Sequence, residues 1–409
     1  MRIGRLLGEH RNGSEGCFYY HCLSRVIEKR FIFGELEREH FRKVIRAQEA
    51  FSGVRVMTWT CMSNHFHLLV AVEDRESEAV KQELAQLMED DEAFLARLQH
   101  IYAPAVIDEI RSRLTLIRSG DSGNGGNGGG GMGGDSNANA GSSSSSDPHP
   151  HSALSLESLD DKDGGAGALA VLDAEQVAQA RMREIAPFKQ PYLERMFDLS
   201  AFVGEIKQRI SQWYNGRNER KGPLWEERFK SVLVQGEPGV LATVAAYIDL
   251  NAVRAGMVKD PGDWRWCGYA EAAAAQCRSR EGVYEVLGQS GVTRRDGATW
   301  RKVHARYRQL LLEEAVEQRD EKGRVVRKGI SREALETAAA RGFELPAPAL
   351  LRQRIRYFVD GLALGSAAFV EGVFAQNRTK MGVKRTSGAR APKGIALGGL
   401  RTLQDLRGA

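Results

Sequence analysis

No stretch of this 409-residue chain stays apolar for the roughly 18–20 residues that cross a bilayer, which argues against a membrane-spanning protein. The N-terminal segment MRIGRLLGEHRNGSEG lacks the apolar centre of a secretory leader, so a cytoplasmic, nucleoid-associated setting is expected. Cysteine is scarce and odd in number: Cys17, Cys22, Cys61, Cys267 and Cys277, with no CxxC pair. That spacing suits reduced thiols better than a disulfide framework and gives no sign of a thiolate zinc site. A strong net charge is also missing. A balance of +5 permits a nucleic-acid partner without demanding one. Its distribution is more informative. From Arg352 onward there are eleven Lys/Arg (352, 354, 356, 378, 380, 384, 385, 390, 393, 401, 407) against three acids (360, 371, 405). That is the composition of a phosphate-seeking segment or of a solvated helical surface.

What is present falls into alternating patterns. Residues 16–26, GCFYYHCLSRV, are rich in β-formers and read as a strand. Residues 36–50, with apolar positions at 36, 41, 44 and 45, read as an amphipathic helix. GVRVMTWTCM (53–62) reads as a second strand, Met62-Ser63-Asn64 as a turn, and HFHLLVAV as a third strand. The order β-α-β-β opens a ferredoxin-like unit, so the expected class is α+β with an antiparallel sheet. Residues 1–15 form an N-terminal tail, 16–74 a first half-domain, and 75–118 a charged helical insertion. Residues 119–167 are Gly/Ser-rich low complexity, expected as a disordered linker. His149 and His151 lie in that linker, where nothing pre-organises them for a metal. Order is expected again over 168–272, with a helix and basic loop at 199–225 and a strand at 228–235. A helix is expected over 237–256, entered at Pro238 and left at Gly256. The region 273–409 reads as mostly helical and basic, with RKGISREALETAAARG and LLRQRIRYFVDGLALGSAAFVEGVFAQNR as the clearest pieces. A DNA-binding helix-turn-helix with DGLALGS at its turn fits there.

Two features carry chemistry. On a strand, His65 and His67 point to one face and Phe66 to the other, so the pair is either a divalent-metal grip or two satisfied core imidazoles. On the 237–256 helix, Tyr247, Asn251 and Arg254 fall at i, i+4 and i+7 along one stripe. They offer a nucleophile, an oxygen ligand and a phosphate-binding cation, a set suited to phosphoryl transfer. Arg254 either contacts phosphate or caps the helix C-terminus by its charge. Arg228 and Lys230 alternate on a strand face, tracking a DNA backbone or simply facing solvent. Trp225, Trp264 and Trp266 either stack on unpaired bases or pack the core. Tyr19, Tyr20, Tyr214 and Tyr269 compete with Tyr247 for the nucleophile's role, and each reads better as packing or base stacking.

These pieces resemble a known family. SNHFHLLV looks like the HUH motif (His, hydrophobic, His) of single-tyrosine transposases. AYIDLNAVRAGMV…DWRWCGY is similar to the tyrosine-helix segment of the REP-associated tyrosine transposases. YYHCLSRVIEKRFIF and WYNGRNERKGPLWEERFKSVLV also match, and all stand in the family's order over roughly 16–74 and 199–272. The resemblance implies a ferredoxin-like core, His65 and His67 as metal ligands, Asn251 as the third protein ligand and Tyr247 as nucleophile. It implies Mg²⁺ or Mn²⁺ as cofactor. The substrate would be single-stranded DNA bearing a hairpin or palindromic repeat, cleaved and rejoined through a 5′-phosphotyrosine by a monomer or homodimer. Two features depart from the family. Ala252 stands where it usually has proline, and residues 75–198 are an unusual insertion. The alternative is a domesticated protein that binds structured single-stranded DNA without cutting it.

Overall fold

The computed structural model describes residues 16–119, 174–288, 297–314, 318–319, 325–327, 357–391 and 399–404. The expected N-terminal tail, most of the Gly/Ser linker with His149 and His151, most of RKGISREALETAAARG, and Arg352, Arg354, Arg356, Lys393 and Arg407 lie outside the described residues.

The fold is α+β. Strand β1 (Cys17–Arg25) is followed by helix α1 (Glu35–Ser52), then by β2 (Arg55–Cys61) and β3 (His65–Glu73). Helices α2 (Glu78–Glu89), α3 (Asp91–Leu98), α4 (Pro104–Ser119) and α5 (Ala174–Leu193) come from the insertion, and α6 (Leu199–Arg217) follows. Strand β4 (Lys230–Val234) then leads into α7 (Pro238–Asp249) and a short α8 (Asn251–Arg254). Later elements are α9 (Gly268–Ala273), α10 (Cys277–Val286), α11 (Gly297–Glu314), β5 (Gln318–Arg319) and β6 (Val325–Arg327). The chain ends with α12 (Tyr357–Asp360), β7 (Gly361–Gly365), α13 (Ala367–Gln376) and β8 (Arg401–Gln404). Among the described residues no helix is long and apolar enough to cross a membrane.

The main sheet runs β2-β3-β1-β4-β7-β8. Its first four strands are mutually antiparallel in the 2-3-1-4 order of a βαββαβ unit, as the opening β-α-β-β pattern leads one to expect. The rest corrects the expectation of a wholly antiparallel sheet and a separate helical C-terminal region. Strand β7 pairs with β4 in parallel, and β8 closes the edge antiparallel to β7. GLALG is therefore a strand, not the turn of a helix-turn-helix. Its small residues permit this. A Cβ on Gly365 would come within 2.6 Å of both Gln235 Oε1 and the Phe369 ring. Strands β5 and β6 form a separate two-stranded sheet.

Pleat alternation sorts the main sheet into two faces. Cross-strand partners share a face, so Tyr20, Cys22, Phe66, Leu68, Val70, Trp59 and Cys61 belong to one. Helix α1 covers it, with Phe41 4.9 Å from Phe66 and 5.8 Å from Trp59 between ring centroids. The other face carries His21, Leu23, His65, His67, Thr58 and Thr60, and α7 lies over it. Helix α7 is apolar all round and nearly every residue in it is buried, as expected for a helix inserted between layers. Glycine lets α10 approach the sheet closely, since a Cβ on Gly282 would lie 2.1 Å from the Met57 carbonyl oxygen.

The insertion adds its own packing. Lys189, wholly buried, donates to the Leu87 and Met88 carbonyls at the end of α2 and pairs with Asp91 at 2.7 Å. Capping terminal carbonyls with a cation satisfies groups the helix cannot. In a second unit of the chain, of which 112–119 and 174–188 are described, Arg113 lies over the Phe188 ring.

Candidate nucleotidyl-transfer site

The histidine motif sits where strand parity puts it. Phe66 points into the apolar layer, fully buried between Phe41 and Trp225. His65 and His67 point to the α7 side, with ring centroids 5.1 Å apart and planes nearly perpendicular. His67 is 2% exposed and His65 half-buried. The His65 Nδ1 faces the Asn64 side-chain oxygen at 2.7 Å, and Asn64 Nδ2 donates to the Lys29 carbonyl at 2.9 Å.

A third histidine, which the sequence reading passed over, joins them. His21 on β1 is 2% exposed, and its ring stacks on His67 at 5.0 Å. Its Nε2 lies 2.9 Å from His67 Nδ1, and its Nδ1 lies 2.6 Å from the Phe358 carbonyl oxygen. The signal for it was faint: an isolated imidazole in CFYYHCLSR, on the same face as Leu23, which pairs with His67. Desolvation holds both imidazoles below their ordinary range. His21 titrates at about 4, its bond to Phe358 opposing the shift and the Arg254 charge adding to it. For His67 the same burial is joined by the neighbouring His21, His65, Arg254 and Arg25 charges. Neutral imidazoles are the form that binds metal.

Tyr247 lies over these rings. It meets His67 and His21 edge-on, each at 5.9 Å between centroids, and Phe358 at 4.8 Å. The Arg254 guanidinium sits 4.2 Å from the centre of the Tyr247 ring and donates to the Tyr247 carbonyl. Arg254 thus caps the helix end, as one of its two readings has it, and places positive charge beside the Tyr247 ring. The Tyr247 side chain is 7% exposed, and its hydroxyl makes no hydrogen bond among the described residues.

The helix expected over 237–256 is interrupted. Leu250 adopts φ −81, ψ 3, so α7, which carries Tyr247 in its last turn, ends at Asp249 and Asn251 opens α8. Ala252 is fully buried, and the turn ends at Gly256 with φ +70, the left-handed conformation glycine tolerates. Asn251 is half-buried, and its side chain bonds to neither histidine nor to any other group among the described residues. The tyrosine helix is anchored one position before Leu250. Asp249, fully buried, accepts from Thr58 Oγ1 (2.6 Å), Tyr307 Oη (2.6 Å) and the Tyr269 N–H (3.3 Å). Burial pushes its carboxyl up to about 6 against those three bonds.

Other expected contacts are only partly assembled. Lys230 pairs across the sheet with Leu23, hence on the histidine face, but its ammonium is bound to Asp360 at 3.0 Å. Arg228 is exposed in a bend before β4 rather than on the strand, because β4 starts at Lys230. The two line one surface pocket with Leu23, Ser24, Arg25, Glu226 and Glu227. The tryptophans are structural. Trp225 donates to the Lys207 carbonyl, and buried Trp264 and Trp266 flank the Arg38 guanidinium at 4.8 and 4.9 Å. Tyr19 donates to Glu285, and Tyr269 lies within hydrogen-bond distance of His304 and Arg308, so neither is a free nucleophile. All five cysteines are free thiols, and only Cys277 is exposed.

The buried His67 imidazole, its neighbour His65 and the otherwise unbonded Asn251 amide offer nitrogen and oxygen donors of the kinds a divalent ion accepts. No group of three or more His, Cys, Asp or Glu side chains converges to hold a metal among the described residues, so such an ion would rely on Asn251 to complete the protein's ligand set. Comparison of the chain with protein-family models, curated proteins and solved structures returns no match.

Proposed function

We propose that this chain is a metal-dependent tyrosine transposase-like enzyme that cleaves and rejoins hairpin-bearing single-stranded DNA. One observation carries the reading. A tyrosine with an unbonded hydroxyl packs against the HUH histidine His67 and beneath a guanidinium, all on one face of the sheet.

In this reading His65, His67 and Asn251 hold Mg²⁺ or Mn²⁺, which when bound withdraws charge from a phosphate oxygen. The Tyr247 oxygen attacks the scissile phosphorus, and the bond from phosphorus to the 3′ oxygen breaks. The phenol loses one proton and the departing 3′ oxygen gains one, so the strand ends as a 5′-phosphotyrosine and a free 3′-hydroxyl. One phosphodiester replaces another, which is why a 3′-hydroxyl can reverse the step and rejoin strands. Arg254 sets positive charge where the pentacoordinate phosphorus gathers negative charge. Arg228 and Lys230 steer the backbone, Lys230 exchanging Asp360 for phosphate.

The test is an adduct assay with Mn²⁺ and single strands carrying the hairpins that flank the chain's own gene. Wild-type protein is expected to yield a detergent-resistant protein–DNA species, and Tyr247→Phe none, with an unchanged melting temperature because no hydroxyl bond is lost. An adduct that survives in Tyr247→Phe sinks the assignment. Strand retention by the wild type without any adduct favours the non-catalytic binder instead.

A further inference from the structure

Two backbone carbonyls, far apart in sequence, end hydrogen-bonded chains that begin at the two motif histidines. The first runs from the Phe358 carbonyl to His21 Nδ1 (2.6 Å), then from His21 Nε2 to His67 Nδ1 (2.9 Å). The second runs from the Lys29 carbonyl to Asn64 Nδ2 (2.9 Å), then from Asn64 Oδ1 to His65 Nδ1 (2.7 Å). We propose that His21 is a positioning residue: anchored on the Phe358 carbonyl, it locks His67 as the Nδ1–H tautomer and so presents His67 Nε2 to a divalent cation. The cation part rests on the metal site described above, and the tautomer part does not.

The argument is one of donor polarity. A carbonyl oxygen only accepts, so the N–H of His21 must lie on Nδ1. A neutral imidazole has one N–H, so His21 Nε2 carries the lone pair and can only accept. The contact to His67 then requires the proton on His67 Nδ1, which leaves the lone pair on His67 Nε2. The reverse polarity would point a lone pair of His21 at the carbonyl lone pairs of Phe358, an unmade hydrogen bond in a site from which water is excluded. A charged His21 would donate at both nitrogens and force the proton of His67 onto Nε2, the wrong tautomer for a ligand. At 2% exposure each, both rings are shut off from water, and burial disfavours the charged form.

The second chain obeys the same rule. Asn64 Nδ2 donates to Lys29, so Asn64 presents its oxygen to His65 and the proton of His65 sits on Nδ1, which in the neutral ring leaves the lone pair on Nε2. Both histidines therefore offer the same nitrogen. A bond to the second ring nitrogen is how proteins orient a ligating histidine and raise its basicity. Here one of the two chains is anchored on the Phe358 carbonyl of α12, far beyond the motif in sequence. The C-terminal segment thereby becomes part of the site.

The test reads tautomers directly, in protein without metal or DNA. Long-range ¹H–¹⁵N correlation of the imidazoles is expected to show His21, His65 and His67 all as Nδ1–H at pH 7.5. His21→Leu removes the acceptor, and His67 is expected to move toward Nε2–H, with Mn²⁺ affinity by calorimetry falling on the order of 10–100-fold. His21→Gln supplies a side-chain oxygen at similar reach, and is expected to restore both the tautomer and most of the affinity. Melting curves separate this from unfolding, since a merely structural role predicts no tautomer change and no rescue by Gln. An Nε2–H signal for His67 in the wild type overturns the proposal even if His21→Leu does not fold. So does an unchanged His67 spectrum in a folded His21→Leu protein. If His67 is Nδ1–H but the wild type binds no Mn²⁺, the lock stands and the metal reading falls.

Discussion

The two faces of the sheet obey different rules. On the α1 side, Phe66, Leu68, Val70 and Cys22 are fully buried and pack without direction, so shape and volume decide what fits. On the α7 side, His21, His67, Thr58 and Asp249 are as deeply buried, yet each has a specified partner. Removing polar groups from water is costly unless each finds a hydrogen bond, so the second face is assembled to tighter tolerances. The contrast separates what holds the fold from what sets up the chemistry, although β3 contributes to both.

The sharpest way to break that separation is Phe66→Ala. Deleting a buried aromatic ring costs about 3–5 kcal/mol, so the urea midpoint is expected to fall steeply. If the faces are independent, protein that remains folded keeps the His67 tautomer and its Mn²⁺ affinity. A loss of metal affinity larger than the loss of stability would show that Phe66 positions the histidines it separates.

Much of this contrast is legible in the residues themselves. The period of two in HFHLLV assigns the histidines and Phe66 to opposite faces with no knowledge of neighbours. Pro238 and Gly256 bracket the tyrosine segment for local reasons, so Tyr247 and Arg254 are found on one stripe. What is hidden is non-local. GLALG looks like a turn because glycine is a turn residue, and only pairing with β4 on one side and β8 on the other makes it a strand. His21 is one imidazole in an apolar strand until β3 is known to be its neighbour and Phe358 its anchor. Asp249 lies inside the helix expected over 237–256, and nothing near it in sequence announces Thr58 or Tyr307. Arg228 falls outside β4, a boundary shift of two residues that alternation alone does not resolve.

A smaller effect is expected where the tyrosine helix is pinned to β2. Thr58→Val keeps the shape and removes one of the three donors to the Asp249 carboxylate. An unsatisfied buried acceptor costs about 1–3 kcal/mol, and Tyr307→Phe should cost a similar amount through the other oxygen. Because both act on one carboxyl, the double variant should depart from additivity, measurable as a coupling energy by urea unfolding. Additive losses would mean that Asp249 is not the shared anchor, and the polar face would be less tightly specified than drawn above.

The smallest effect concerns a charge on the α6 side of the molecule. Lys207 is half-buried, its ammonium donates to the Glu227 carbonyl at 2.6 Å, and it lies 5.6 Å from the centre of the Trp225 ring. Desolvation lowers its pKa to about 8. The unfolded chain keeps a lysine near 10.4, so the folded state binds the proton less tightly. The burden on stability is therefore full below pH 8 and fades as pH rises toward 10.4, where folded and unfolded forms are both neutral. Lys207→Met retains an apolar stem against Trp225 and carries no charge. The stability of the wild type relative to Lys207→Met should accordingly rise between pH 7.5 and pH 10 by urea unfolding. A difference that stays flat across that window would mean the ammonium remains well hydrated beside Trp225, and that the side of the sheet drawn as purely apolar already admits water there.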